Sequence, residues 1–181
     1  MRIQKLCYNK AMSDTKQLKN ALKNFAMPDY EQIPDVGLYL DQVARFINSF
    51  LADFPEMQVT PSMISNYAKQ KLIERVNRKT YTRDQIAALI MIVLSKTVIS
   101  IEHTRMMLEE LRSGKDSLRD AYGSFRTSLC DVLDALSEES GYLPSSAANE
   151  RETMIRNIVI AIAHKMVLER YFEIRSAETE Q

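Results

Sequence analysis

The chain has 181 residues with 24 basic and 24 acidic side chains. That length supports one sizeable core, or a small unit plus a helical extension. Its few glycines and lack of tryptophan point to few turns and a mostly helical chain. Two cysteines, Cys7 and Cys130, imply no disulfide framework, no redox motif and no metal site, which fits a reducing, cytoplasmic compartment. The apolar runs from Ile86 to Leu94 and from Ile158 to Ala163 are too short to span a bilayer.

In chain order, MRIQKLCYNKAMSDTK is basic but lacks the apolar run and small-residue cleavage site of a signal peptide. Translation could start at Met1 or Met12, which makes the first eleven residues an extension without expected structure. Ser13 to Ala26 is predicted as a short amphipathic helix with Leu18, Leu22 and Phe25 on one side. Met27-Pro28 stops it, and Ile33-Pro34-Asp35 reads as a connector ending in a helix cap. Val36, Leu40, Val43, Ile47, Phe50 and Phe54 recur at spacings of three and four, which predicts an amphipathic helix of about five turns. Phe54-Pro55-Glu56-Met57 is the turn after it.

Thr60-Pro61 then starts a helix, because the hydroxyl caps a free N–H and proline sits where its missing N–H costs nothing. Met63, Ile64, Tyr67 and Ala68 are its inward face, leaving Ser62, Ser65, Asn66 and Lys69 together on the opposite one. All four can donate hydrogen bonds to base edges or phosphates. Residues 74–80, ERVNRKT, read as a hairpin-like wing or a bare turn with Val76 inward. Thr82 and Gln85 form a capping box, with Arg83 in the first turn, where it opposes the helix dipole; a phosphate contact would explain it. Ile86 to Leu94 is apolar on every side and must be covered almost all round by C-terminal helices or a second subunit.

Beyond Ser100, Ile101, Thr104, Leu108 and Leu111 follow a heptad-like seam. After the Gly114 break, so do Leu118, Tyr122, Phe125, Leu129, Val132 and Leu136. Either seam serves a dimer or an intramolecular bundle. Residues 141–146, GYLPSS, are a loop, and a last helix runs from about Ala148 to Arg175 with Ile155, Ile158, Val159, Ile162, Met166 and Tyr171 inward.

The neutral total conceals segregated charge: residues 1–30 carry +4, 31–56 carry −4, 57–100 carry +5 and 101–181 carry −5. The cations of the basic stretch fall on the capped helix and the loop after it, where Lys71, Arg75, Arg78, Lys79 and Arg83 could hold phosphates. A short polar helix, a basic loop and a long apolar helix suit a winged helix-turn-helix, with Asn66 the best reader of adenine.

Catalysis finds little support. His103 and His164 lie on different helices without acidic or cysteine partners, and Cys130 sits close to the apolar seam as a buried thiol. There is no glycine-rich phosphate loop, no paired carboxylate motif and no ligand cluster for a metal. Asp131, Asp134, Glu138 and Glu139 solvate one helix face. The ten methionines suit gap-filling in a helical core over an effector pocket.

The stretch MISNYAKQKLI from Met63 to Ile73 resembles the recognition helix of MerR-type regulators. Ile64 stands at a leucine position, Tyr67 at a tyrosine, Lys69 at a basic position and Leu72-Ile73 at a closing apolar pair. Tyr81-Thr82 resembles the wing's closing tyrosine and the cap of the next helix, and Ser100-Ile101-Glu102 the start of the fourth helix. Ser65-Asn66 departs from an Arg-Tyr pair, Lys71 replaces a glycine, and the loop 74–80 is short for a wing. The fuller pattern, over roughly residues 30–135, resembles the uncharacterised bacterial domain-of-unknown-function family eighteen thirty-six, regarded as MerR-like and regulatory. The resemblance implies an all-α fold: an N-terminal extension over 1–30, a MerR-like helix-turn-helix over 31–112 with at most a minimal β wing, and a C-terminal helical region over 113–181 for dimerisation or effector response. The function expected is a transcriptional regulator binding double-stranded DNA as a homodimer, with no cofactor and with a small-molecule effector left open. The alternative is a protein-interaction module that docks a protein partner through the same fold.

Overall fold

A computed structural model describes residues 16–74, 76, 79–113, 117–138 and 149–179. The elements are a first helix α1 over residues 16–24, a strand β1 (Leu38–Tyr39), helices α2 (Leu40–Ser49) and α3 (Pro61–Lys69), a strand β2 (Thr80–Tyr81), and helices α4 (Arg83–Ser95), α5 (Ile101–Ser113), α6 (Leu118–Ser137) and α7 (Glu150–Thr179). The fold is all-α with a minimal two-stranded sheet.

The core is built around α4, and composition explains why. A helix without a polar face has no side to show water, and every residue from Gln85 to Ser95 is buried. Each such Leu, Ile or Val contributes about 1.5–3 kcal/mol by leaving water. The helix starts where Thr82 and Gln85 cap each other reciprocally: the Gln85 N–H donates to Thr82 Oγ1 at 3.3 Å and the Thr82 N–H to Gln85 Oε1 at 2.9 Å. The cover over α4 comes from α6 and α7 of the same chain. Tyr122, Phe125, Leu129 and Val132 are buried in this single chain, with Leu118 and Leu136 half-buried beside them. The seam read as a dimer or bundle contact is therefore a core seam. One hydrophobic core runs from Ala21 to Met166 and joins all three segments drawn from the sequence.

Segment 27–31 is strapped onto α6. Tyr122 donates its hydroxyl to the Pro28 carbonyl at 2.8 Å, and Arg126 Nε donates to the Met27 carbonyl at 2.8 Å while its Nη1 lies 3.0 Å from Asp29. Burial holds the Tyr122 hydroxyl protonated far into alkaline solution. Just after α1, Phe25 meets Phe50 and Phe54 edge-to-face, each at 6.0 Å.

Three expectations are corrected. The five-turn helix from Val36 is a ten-residue helix, α2, preceded by extended chain, and Val36 is 73% exposed. Its cap is Tyr39, whose N–H donates to Gln42 Oε1 at 2.9 Å, and not Asp35. The cause is non-local: Leu38 and Tyr39 pair antiparallel with Tyr81 and Thr80, which keeps them extended. That pairing also supplies the minimal β wing expected of the chain. The strand that closes the loop 74–80 finds its partner before α2. Gly37 permits it, because a Cβ there would come within 2.9 Å of both Cβ and Oγ1 of Thr80. Third, α7 buries Ile155, Ile158, Val159, Ile162 and Met166 as expected but leaves Tyr171 48% exposed, and Ile174 takes the inward place. The turn over residues 50–57 is as expected, with a short 3-10 segment at Pro55–Met57. The N-terminal eleven residues, Cys7, the loop 141–146 and Glu139 lie outside the described residues.

Candidate nucleic-acid interface

Two side chains fix the approach to α3. Asn48, on α2, bonds both backbone groups of Val59: its Nδ2 donates to the carbonyl and its Oδ1 accepts from the N–H, each at 2.9 Å. Gln58 Nε2 donates to the Leu51 carbonyl at 3.2 Å. The chain thus enters α3 at a set angle. Thr60 then caps the helix, accepting from the Met63 N–H at 3.3 Å. Ile64 and Tyr67 are buried beneath α3, with Met63 and Ala68 half-buried at its flanks. Under the helix, Lys96 Nζ sits 5.9 Å from the Tyr67 ring centre. Burial lowers the Lys96 pKa and raises that of Tyr67.

The outer face carries what the spacing assigned to it. Ser62, Asn66 and Lys69 are exposed and Ser65 is half-buried. Lys69 stands in the last turn, where the helix dipole favours a cation.

After α3 the chain turns sharply. The Lys71 N–H donates to the Ala68 carbonyl at 3.0 Å and the Leu72 N–H to the Tyr67 carbonyl at 3.1 Å. These two bonds make a Schellman closure, whose turning residue is ordinarily glycine because its backbone is left-handed. Here it is Lys71, with φ 58°, and Lys79 at the other end of the loop has φ 64°. They are the only non-glycine residues with positive φ among the described residues. The loop between is tied from behind: Arg112 Nη2 of α5 donates to the Leu72 carbonyl and Gln85 Nε2 of α4 to the Glu74 carbonyl, both at 3.2 Å. Val76 is half-buried against the core, as expected.

Of the cations assigned to phosphates, Lys71 and Lys79 are exposed, and Arg75 and Arg78 lie outside the described residues. Arg83 is employed within the fold. Its Nε donates to the Ile33 carbonyl at 2.9 Å, and its guanidinium lies 5.6 Å from the Tyr30 ring centre and 3.9 Å from Asp35. The Ile33 carbonyl thus accounts for a cation in that first turn without calling on a phosphate. The Tyr30 hydroxyl is bonded to Asp84 next door, and burial together with that carboxylate pushes its pKa up to about 12.

Between α3 and β2 lies an open groove. Ala68, Ile73, Val76 and Tyr81 give it an apolar lining, and Lys69 and Lys71 supply its charge. Sequence reasoning missed both the groove and the strain at Lys71. The signal was present in the lysine that replaces a glycine at the end of a helix.

Other candidates offer less. His103 and His164 are exposed on α5 and α7, and Cys130 is half-buried with its thiol pKa raised by burial. Among the described residues no group of His, Cys, Asp and Glu could hold a metal ion, and no helix is long and apolar enough to cross a membrane. Neither a curated protein nor a solved structure matches the chain. A family model matches residues 28–125, a stretch that takes in β1, α2, α3, β2, α4 and α5, and by it the chain belongs to the family described as Domain of unknown function (DUF1836).

Proposed function

We propose that the protein is a MerR-like, cytoplasmic transcriptional regulator that binds duplex DNA and has no catalytic role. The observation that carries this reading is the outer face of α3. Ser62, Asn66 and Lys69 are exposed over a helix whose underside is pinned by Ile64 and Tyr67. A helix built to dock a protein would carry apolar or aromatic anchors outward, and this one carries groups that pair with bases and phosphates. Asn66 reads a base, since its amide can pair with adenine N6 and N7, and Lys71, Arg75, Arg78 and Lys79 hold the backbone.

One reading helix contacts only a few base pairs, so tight specific binding calls for two, about one DNA turn apart. With the α6 seam internal, the homodimer needs another surface. Leu168, Tyr171 and Phe172 of α7 form an exposed apolar stripe at helical spacing, which a second copy would cover. Such a face on both subunits would make a self-complementary two-fold contact.

The test is titration of a labelled random-sequence duplex across a salt series. If those four cations reach phosphates, log affinity falls against log salt with a slope of about −3 to −4 per subunit. On sequences selected from a random pool, Asn66→Ala flattens preference at one position and leaves the others. No binding at low salt, or a slope near zero, would overturn the reading.

A further inference from the structure

A lysine in left-handed backbone is a costly choice where glycine serves freely. Lys71 makes that choice at the closure just after α3, where glycine is the ordinary residue, and Lys79 makes it again at the far end of the same loop. Strained residues of this kind persist where the surroundings over-determine them, and they gather at ligand-binding positions. Both lysines are exposed, so neither is held in place by burial of its own side chain.

The groove that Lys71 lines has two kinds of surface. Ile73 and Tyr81 are buried in its floor, Ala68 and Val76 are half-buried, and Lys69 and Lys71 bring positive charge to it. Tyr81 follows Lys79 by two residues, so the second strained lysine is tethered to the groove through β2. A ligand matching this surface alternates apolar and anionic groups along its length. A sugar–phosphate backbone does so: deoxyribose presents carbon and phosphate presents charge. An acidic peptide would not fit as well, because its carboxylates come on a chain whose own N–H and C=O groups also need partners.

We propose that this groove seats the sugar–phosphate backbone of one DNA strand, with deoxyribose on the Ala68, Ile73, Val76 and Tyr81 surface and phosphates on Lys69, Lys71 and Lys79. Lys71 and Lys79 keep their strained conformations because their charge is needed at this groove. The assignment rests on duplex DNA being the ligand, and it deepens that reading by naming the seat of the backbone and by moving Lys69 from base to phosphate contact.

Lys71→Gly separates the fold from the groove. Relief of the left-handed strain raises the thermal midpoint by about 2–4 °C. The same change weakens binding to all duplex sequences alike and reduces the salt slope by about one. Lys71→Asn, which tolerates the same backbone without the charge, gives the same loss of slope. Lys71→Arg keeps the strain and the charge and retains the wild-type slope. Lys69→Gln, on this reading, weakens all sequences equally instead of altering preference at one position. A Lys71→Gly variant that is more stable and binds as tightly as wild type overturns the groove, and so does one that gains no stability. Wild-type protein that fails to bind duplex at low salt removes the DNA reading itself and the groove with it.

Discussion

Arg83→Ala decides between two jobs for one cation. The Arg83 Nε–Ile33 carbonyl bond is made by a charged donor to the backbone of a fully buried residue, and such a bond is worth about 1.5–3 kcal/mol. The guanidinium over the Tyr30 ring adds about 0.5–1 kcal/mol. Asp35 adds next to nothing, because its side chain is 81% exposed and the charges are 3.9 Å apart. Against these, removing a cation from the first turn of α4 regains about 0.3–1 kcal/mol from the helix dipole. The remainder is roughly 2 kcal/mol, which for a chain of this size lowers the thermal midpoint by about 4–8 °C. Calorimetry or circular dichroism measures that fall. The second measurement is the salt slope of duplex binding at a temperature where both proteins are folded, and it stays at the wild-type value. A variant that melts like wild type while its slope drops by about one would refute the reasoning and return Arg83 to the phosphates.

Leu129→Glu and Leu168→Glu, compared by light scattering and circular dichroism, locate the subunit contact. The first puts a carboxylate where no side-chain surface is exposed and unfolds the protein; the second changes an exposed residue, leaves the fold within about 0.5 kcal/mol and yields monomers. A folded wild-type monomer at high protein concentration would sink the dimer. Tyr30→Phe tests the alkaline limit. The folded pKa of Tyr30 is raised from 10.0 to about 12, so its stabilising effect is whole below pH 10 and is lost as pH climbs towards 12. Wild type therefore loses stability over that window, and the variant loses less. Equal losses would mean that Tyr30 is not held protonated by the fold.

The parts of the fold readable from the chain are those whose cause is local. Thr60 and Thr82 announce their helices because the cap and its partner lie three residues apart. Ser62, Ser65, Asn66 and Lys69 fall on one face because the helix period places them there. What escaped reading depends on partners distant in the chain. The spacing of Val36 and Leu40 predicts a helix through Leu38 and Tyr39, and only the pairing of these two with Tyr81 and Thr80 makes them extended. Arg83 looks like a phosphate contact in sequence because its acceptor, the Ile33 carbonyl, lies 50 residues earlier. Tyr171 lies a step of five from Met166, which departs from the helical repeat and leaves it exposed, whereas Ile174, two turns on, keeps to the repeat and is buried.

The all-round burial of α4 bears on where this protein can be divided. The stretch shared with the family ends at residue 125, part-way along α6 (Leu118–Ser137), yet Leu129 and Val132 of α6 and Val159, Ile162 and Met166 of α7 belong to the same core as α4. A fragment cut at that limit would carry the reading helix, the groove and the apolar helix behind them, but would lack this part of the cover. Its newly bared Ile and Leu side chains would seek one another between molecules, so the fragment would precipitate before it could be assayed. The unit that is recognisable in sequence is smaller than the unit that can stand alone in water.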